Sequence, residues 1–91
     1  MLFMVIEQFQ PGAVPHIYRR LRDSGRALPE GLVYGGSWIE ASLGRCFQLM
    51  ECDYAKLLQE WILSWEGLFS AEIVPVAPSP ETQEVVRPFL T

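Results

Sequence analysis

Two strand-like runs held three residues apart constrain this chain more than any other feature. Leu32–Ala41 carries the β-favouring Tyr34, Trp38 and Ile39, and Arg45–Cys52 alternates around Phe47 and Leu49. Ser42-Leu43-Gly44 between them has the length and the glycine of a three-residue hairpin loop, with Gly44 in the left-handed position. A hairpin in mid-chain must be completed by whatever flanks it, and both flanks supply a strand and a helix. Leu2-Phe3-Met4-Val5-Ile6 opens a strand that runs to about Gln10 and stops at Pro11-Gly12. Pro15 suits a first helical turn, Val14, Ile17, Tyr18 and Leu21 recur at helical spacing, and Gly25 suits the C-cap. Beyond the hairpin, Asp53 is placed to cap a helix striped by Leu57, Leu58, Trp61, Ile62 and Trp65, and Phe69–Val76 reads as a last strand.

The resulting order is βαββαβ, the split βαβ pattern of ferredoxin-like α+β folds. Right-handed crossovers predict a four-stranded antiparallel sheet of order 4-1-3-2 with both helices on one face. Residues 1–76 form this domain. Residues 77–91 change character at Ala77-Pro78-Ser79-Pro80 and form a proline-bearing tail, with one or two helical turns before Pro88.

A 91-residue chain forms one domain and buries a little over ~60% of its unfolded surface. Yet 49% of this chain is hydrophobic and 12% aromatic, more apolar surface than so small a body hides by itself. An oligomer or a lined pocket is expected. The net charge of −4 argues against nucleic acid, and the cluster Arg19, Arg20, Arg22 and Arg26 reads as a solvated helix face. Cys46 and Cys52 lie six apart in one strand, about 20 Å at strand spacing, so both are expected to be thiols. With a start too short for a signal or a span, the expected location is the cytoplasm, away from membranes.

Hairpin register and period-two alternation divide the sheet into two sets. The three-residue loop pairs Glu40 with Cys46, Trp38 with Gln48 and Ile39 with Phe47. Leu2, Met4, Ile6, Val33, Ile39, Phe47, Leu49, Ala71 and Ile73 form a nearly aliphatic set, which we assign to the helices. Phe3, Val5, Glu7, Phe9, Tyr34, Trp38, Glu40, Cys46, Gln48, Met50, Glu72, Val74 and Val76 are left to the other face. Such a face is larger than a soluble monomer leaves in water, and a second copy is the simplest cover. Phe3, Val5, Phe9, Met50 and Val74 are the expected dimer contacts.

The stretches Leu2-Phe3-Met4-Val5-Ile6-Glu7, Tyr18-Arg19-Arg20, Trp38-Ile39-Glu40-Ala41, Arg45-Cys46-Phe47-Gln48-Leu49-Met50-Glu51 and Leu58-Gln59-Glu60-Trp61 resemble a group of short bacterial proteins classed as a domain of unknown function. That group is similar to the dimeric α+β barrel superfamily, whose protomers pair sheet to sheet around a barrel. The resemblance spans about residues 1 to 76. It implies a homodimer, and a superfamily holding monooxygenases, isomerases, dechlorinases and ligand sensors.

On the barrel side, Glu7, Tyr34, Trp38, Glu40, Gln48 and Glu72 are the candidate ligand-binding residues. Carboxylates against an apolar wall gain acid–base range, and an amide in a central strand must find partners. The competing reading has the glutamates at the rim, paired with Arg45 or Arg87. His16 is alone and reads as a solvent-facing first-turn residue, Cys46 reads as a small buried hydrophobe, and the Trp stripe as helix core. No metal set, catalytic dyad or nucleotide loop is present, and no cofactor is expected. Superfamily members that degrade haem or oxidise aromatics use an Asn/Trp/His set, whereas this sequence has no asparagine. Three functions fit these residues: a small organic molecule bound between the sheets, a non-catalytic homodimeric adaptor, and RNA binding on an RRM-like sheet. The last lacks the aromatic signature of such sheets.

Overall fold

The computed structural model describes residues 1–65 and 67–91. Its elements are β1 (Leu2–Phe9), α1 (Val14–Ser24), β2 (Val33–Ile39), β3 (Arg45–Glu51), α2 (Ala55–Ser64), β4 (Phe69–Val76) and α3 (Ser79–Val86), followed by a 3-10 turn at Arg87–Phe89. The four strands form one open antiparallel sheet in the order β2-β3-β1-β4. The fold is therefore α+β, and its order is consistent with the ferredoxin-like arrangement.

Local signals behave as their chemistry dictates. Pro15 sits in the first turn of α1, where its missing N–H costs nothing, and Gly25 closes the helix at φ 71 with its N–H on the Leu21 carbonyl. For α2 the N-cap is Tyr54 rather than Asp53, and no side chain caps it. Its stripe packs as expected: Leu58, Trp61 and Trp65 are buried, with Leu57 and Ile62 at the margin.

For β1 and β3 the helices lie on the opposite face from the one the alternation suggested, whereas Ile39, Ala71 and Ile73 meet the helix side as expected. Phe3, Val5 and Met50 are buried in one cluster with Ile17, Leu58 and Trp61, and Phe9 packs against that cluster. These four, expected at a dimer interface, are instead the floor of the chain's own core. Both faces of β1 are apolar, so period two shows that two faces exist without showing which one meets the helices.

The relative phase of the outer strands also differs from expectation. Glu72 and Val74 of β4 stand opposite Ile6 and Met4, while Ala71 and Ile73 stand opposite Glu7 and Val5. In the hairpin, Glu40 bonds to Arg45 across four loop residues, and the left-handed position falls on Leu43 (φ 65) instead of Gly44. One extra loop residue reverses the pairing: Trp38 faces Phe47, and Ile39 faces Cys46. A bulge between Tyr34 and Gly36 then restores Tyr34 to the helix side, opposite Met50. Gly36 takes φ 137, a value closed to a side chain, and the Trp38 ring covers it.

The open face therefore presents Leu2, Met4, Ile6, Phe47, Leu49, Val74 and Val76, with Val33 and Trp38 at the β2 edge. All of them are partly or largely exposed. Beyond Val76 every residue is exposed, including Val85, Phe89 and Leu90. The radius of gyration, 15.5 Å, exceeds the ~12 Å of a compact chain of this length, as an outstretched arm requires. No helix is long and apolar enough to cross a membrane.

Candidate functional site

Between α1, the start of α2's aromatic stripe and the β1–β3 floor lies a cavity. Its apolar wall comes from Phe9, Ile17, Leu21, Ile39, Trp61, Trp65 and Phe69. Six polar groups face the same space: Glu7, Tyr18, Arg26, Ser37, Cys46 and Gln48. It holds about 50 Å³, measured at the centre of a water-sized sphere. One water needs ~10–15 Å³ by that measure, so the space suits roughly three to five water-sized groups. Two wider depressions, at the Gln8–Arg45–Ser70 edge and at the base of α3, hold about 250 and 360 Å³ by the same measure.

Each polar group is placed by an element with its own reason for being there. Glu7 and Cys46 are cross-strand partners on the helix side of β1 and β3. Glu7 is 5% exposed, and burial pushes its carboxyl up to about 7, against small opposing effects of the Cys46 thiol and the Arg26 charge. Near neutrality it is thus divided between acid and carboxylate. Burial and the neighbouring Glu7 push the Cys46 thiol up to about 12, so it stays protonated and is no nucleophile. Burial raises the Tyr18 phenol too, although nearly half of that residue is exposed.

Arg26 follows the glycine that ends α1, so it leaves the helix face on which its sequence neighbours stand. Its guanidinium stacks on Tyr34 with 3.7 Å to the ring centroid and donates from Nη1 to Gln48 Oε1 at 3.2 Å. Its carbonyl accepts the Trp61 indole N–H at 2.9 Å, which ties the loop to α2. Gln48 is 2% exposed and gives its other end to Met50 Sδ at 3.4 Å. Tyr34 in turn shares a 2.7 Å hydrogen bond with Ser37. Trp61, Trp65 and Phe69 form an aromatic cluster with centroids 5.9–6.4 Å apart. The Trp65 indole N–H is the one buried side-chain polar atom without a partner among the described residues.

The structure divides the six candidates read from the sequence. Glu7, Gln48 and Tyr34 lie on the helix side, the first two lining the cavity and the third supporting Arg26. Trp38, Glu40 and Glu72 do not join them. Trp38 is 59% exposed on the open face, Glu72 stands opposite Ile6, and Glu40 holds Arg45 at 2.8 Å in an exposed ion pair. The Arg45 hydrogen bond keeps Glu40 below the usual carboxylate range, as the rim reading of that residue required. Among the cavity residues that went unselected are Arg26, Tyr18, Trp61 and Trp65. For Arg26 a signal existed, since a residue beyond a C-cap glycine no longer belongs to the helix stripe. His16 is exposed. Among the described residues no three His, Cys, Asp or Glu side chains gather as a metal set.

A family model described as a domain of unknown function (DUF3303) matches residues 1–90, including the tail beyond residue 76. No curated protein and no solved structure matches the chain.

Proposed function

The chain belongs to the family described as a domain of unknown function (DUF3303), and we propose that it binds a small organic molecule in the cavity between its helices and its sheet. The observation that carries this reading is the meeting of a partly protonated Glu7 with Arg26 and Gln48 in one space walled by Trp61, Trp65 and Phe69. Small-molecule sites combine an apolar wall with a few convergent polar groups in this manner. A core needing only stability would have filled the space, since burying Glu7 and Gln48 costs more than an aliphatic pair. Glu7 is the group able to give or take a proton at neutral pH, and Cys46 keeps its proton. A fragment screen by NMR on the purified chain tests the reading. Shifts should cluster at Glu7, Gln48 and the Trp61 and Trp65 indoles, and a screen with no such cluster would overturn it.

The assembly we infer is a homodimer closed through the open sheet face. That face carries Leu2, Met4, Ile6, Phe47, Leu49 and Val74 between the charged Arg45, Glu51 and Glu72, and water is a poor cover for its apolar part. Eight residues by four strands give a footprint of roughly 500 Å², short of the ~800 Å² per partner in a standard interface. The arm supplies the rest. Its Val85, Val86, Phe89 and Leu90 are exposed, and Pro78 and Glu81 at its base share a crook with Leu2, Glu51 and Val76 of the open face. A partner seated on the sheet would also meet the arm. Light scattering at micromolar concentration should return twice the chain mass, and one chain mass would overturn this assembly.

A further inference from the structure

We propose that the ligand of the cavity is a small monocarboxylic acid, its carboxylate held by the Arg26 guanidinium and its hydrocarbon part lying against Trp61 and Phe69. This rests on the reading of that cavity as a ligand site. The starting point is a cation that no carboxylate among the described residues meets in an ion pair, Glu7 acting on it only at longer range. The ion pairs among the described residues are Arg22 with Asp23 and Arg45 with Glu40, both on the surface. Arg26 has neither, although it is half-buried and the chain carries a net charge of −4. Of the five N–H donors of a guanidinium, the side-chain acceptor met here takes one, at Gln48 Oε1. The Tyr34 ring below and the Trp61 bond to its backbone hold the group rigidly, so a planar anion meets a fork already oriented.

Gln48 cannot serve as the missing anion. It is neutral, and its amide nitrogen is occupied by Met50. A neutral apolar guest would leave the remaining guanidinium N–H groups desolvated and unbonded, which is costly. Phosphate is tetrahedral and has no hydrocarbon part, so it would leave the aromatic wall of Trp61 and Phe69 unmatched. A monocarboxylate balances the single guanidinium, and its alkyl part matches the aromatic wall. The space for roughly three to five water-sized groups limits it to a short chain.

Glu7 makes the binding sensitive to pH. In its acid form it can donate a hydrogen bond to a carboxylate oxygen, and in its charged form it repels one. The groups facing it are Cys46 from β3, Arg26 after α1 and the Tyr18 phenol from α1, while α2 brings the uncharged Trp61 and Trp65. Cys46 stays neutral throughout. The affinity for the acid should therefore fall as pH rises through about 7, where Glu7 ionises.

Calorimetry or indole NMR on the full chain with propionate, propionamide and inorganic phosphate decides the matter. Propionate should bind at pH 6 at least tenfold more tightly than its isosteric amide, and several-fold more weakly at pH 8. Arg26→Gln should bring propionate down to the level of the amide. Should that variant unfold, Arg26→Lys should still favour the acid, less strongly, because it keeps the charge and loses the fork. Equal affinity for acid and amide in the unaltered protein would overturn the carboxylate assignment and leave the cavity reading standing. Tighter binding of phosphate would overturn it as well. No binding of any probe, with the Trp61 and Trp65 signals unmoved, would overturn both.

Discussion

Trp38 and Gln48 lie on opposite faces of one sheet, Gln48 buried against Arg26 and Trp38 exposed beside Phe47. The three tryptophans therefore report on different events. A ligand in the cavity should change the fluorescence of Trp61 and Trp65, and Trp38→Phe should leave that change intact. Trp61→Phe should remove most of it. A response lost in Trp38→Phe would place the ligand on the open face.

Glu7 ties the fold's stability to pH. Its carboxyl is raised from 4.5 to about 7, so the folded state holds the proton more tightly than the unfolded chain. The associated stability is complete below about pH 4.5, declines as pH rises through about 7, and then levels off. At 1.36 kcal/mol per pH unit the total is about 3 kcal/mol, reduced by any water that enters the cavity. Glu7→Gln should match the parent protein near pH 4.5 and exceed it in urea midpoint at pH 8.5. A parent protein whose midpoint is the same at both pH values would show that Glu7 ionises freely.

Trp61 should be the costliest single truncation. It is 2% exposed, packs against Trp65 and Phe69, and bonds the Arg26 carbonyl. Trp61→Ala should cost roughly 3–5 kcal/mol as a core cavity. Trp61→Phe should cost less, about 1 kcal/mol of it from the lost N–H bond. Equilibrium denaturation of the two variants checks the order.

The two sheet faces predict opposite outcomes for the same substitution. Val5→Lys places an unpaired charge among Leu58, Trp61 and Met50 and should abolish folding. Met4→Lys places it on the open face and should yield a folded monomer, with circular dichroism preserved and the scattering mass halved. A chain ending after Ala77 should also fold and should dissociate at a lower dilution factor than the full chain. A Met4→Lys protein that stays dimeric would show that the partner sits elsewhere.

The element order was legible from the sequence because its signals are local. Pro11-Gly12, Pro15 and Gly25 act within one turn of chain, and the Leu58–Trp61–Trp65 stripe needs only the helical period. Strand order followed as well, since right-handed crossovers leave few alternatives for βαββαβ. Face assignment was not local. Every strand of β1–β3 alternates two apolar sets, and which set meets the helices depends on the shape of Trp61, Leu58 and Ile17 packed above it. The phase of β4 against β1 is likewise set by a crossover through α2 rather than by a turn.

The candidate site shows the same division. Glu7 and Gln48 could be singled out because a carboxylate and an amide at alternating positions of central strands need partners wherever they point. Their union with Arg26 could not, since it brings together residues 22 positions apart through a loop that leaves the α1 axis at Gly25. The expected pairing of Trp38 with Gln48 fails by a single loop residue, since Glu40 bonds to Arg45 rather than standing opposite Cys46. In a lattice of period two, one residue is the whole difference between the faces. What the sequence determined alone was the inventory and order of its elements, governed by short-range torsional and hydrophobic preferences. The cavity, the open face and the Arg26–Gln48 contact were decided by packing, because they exist only where distant segments exclude water together.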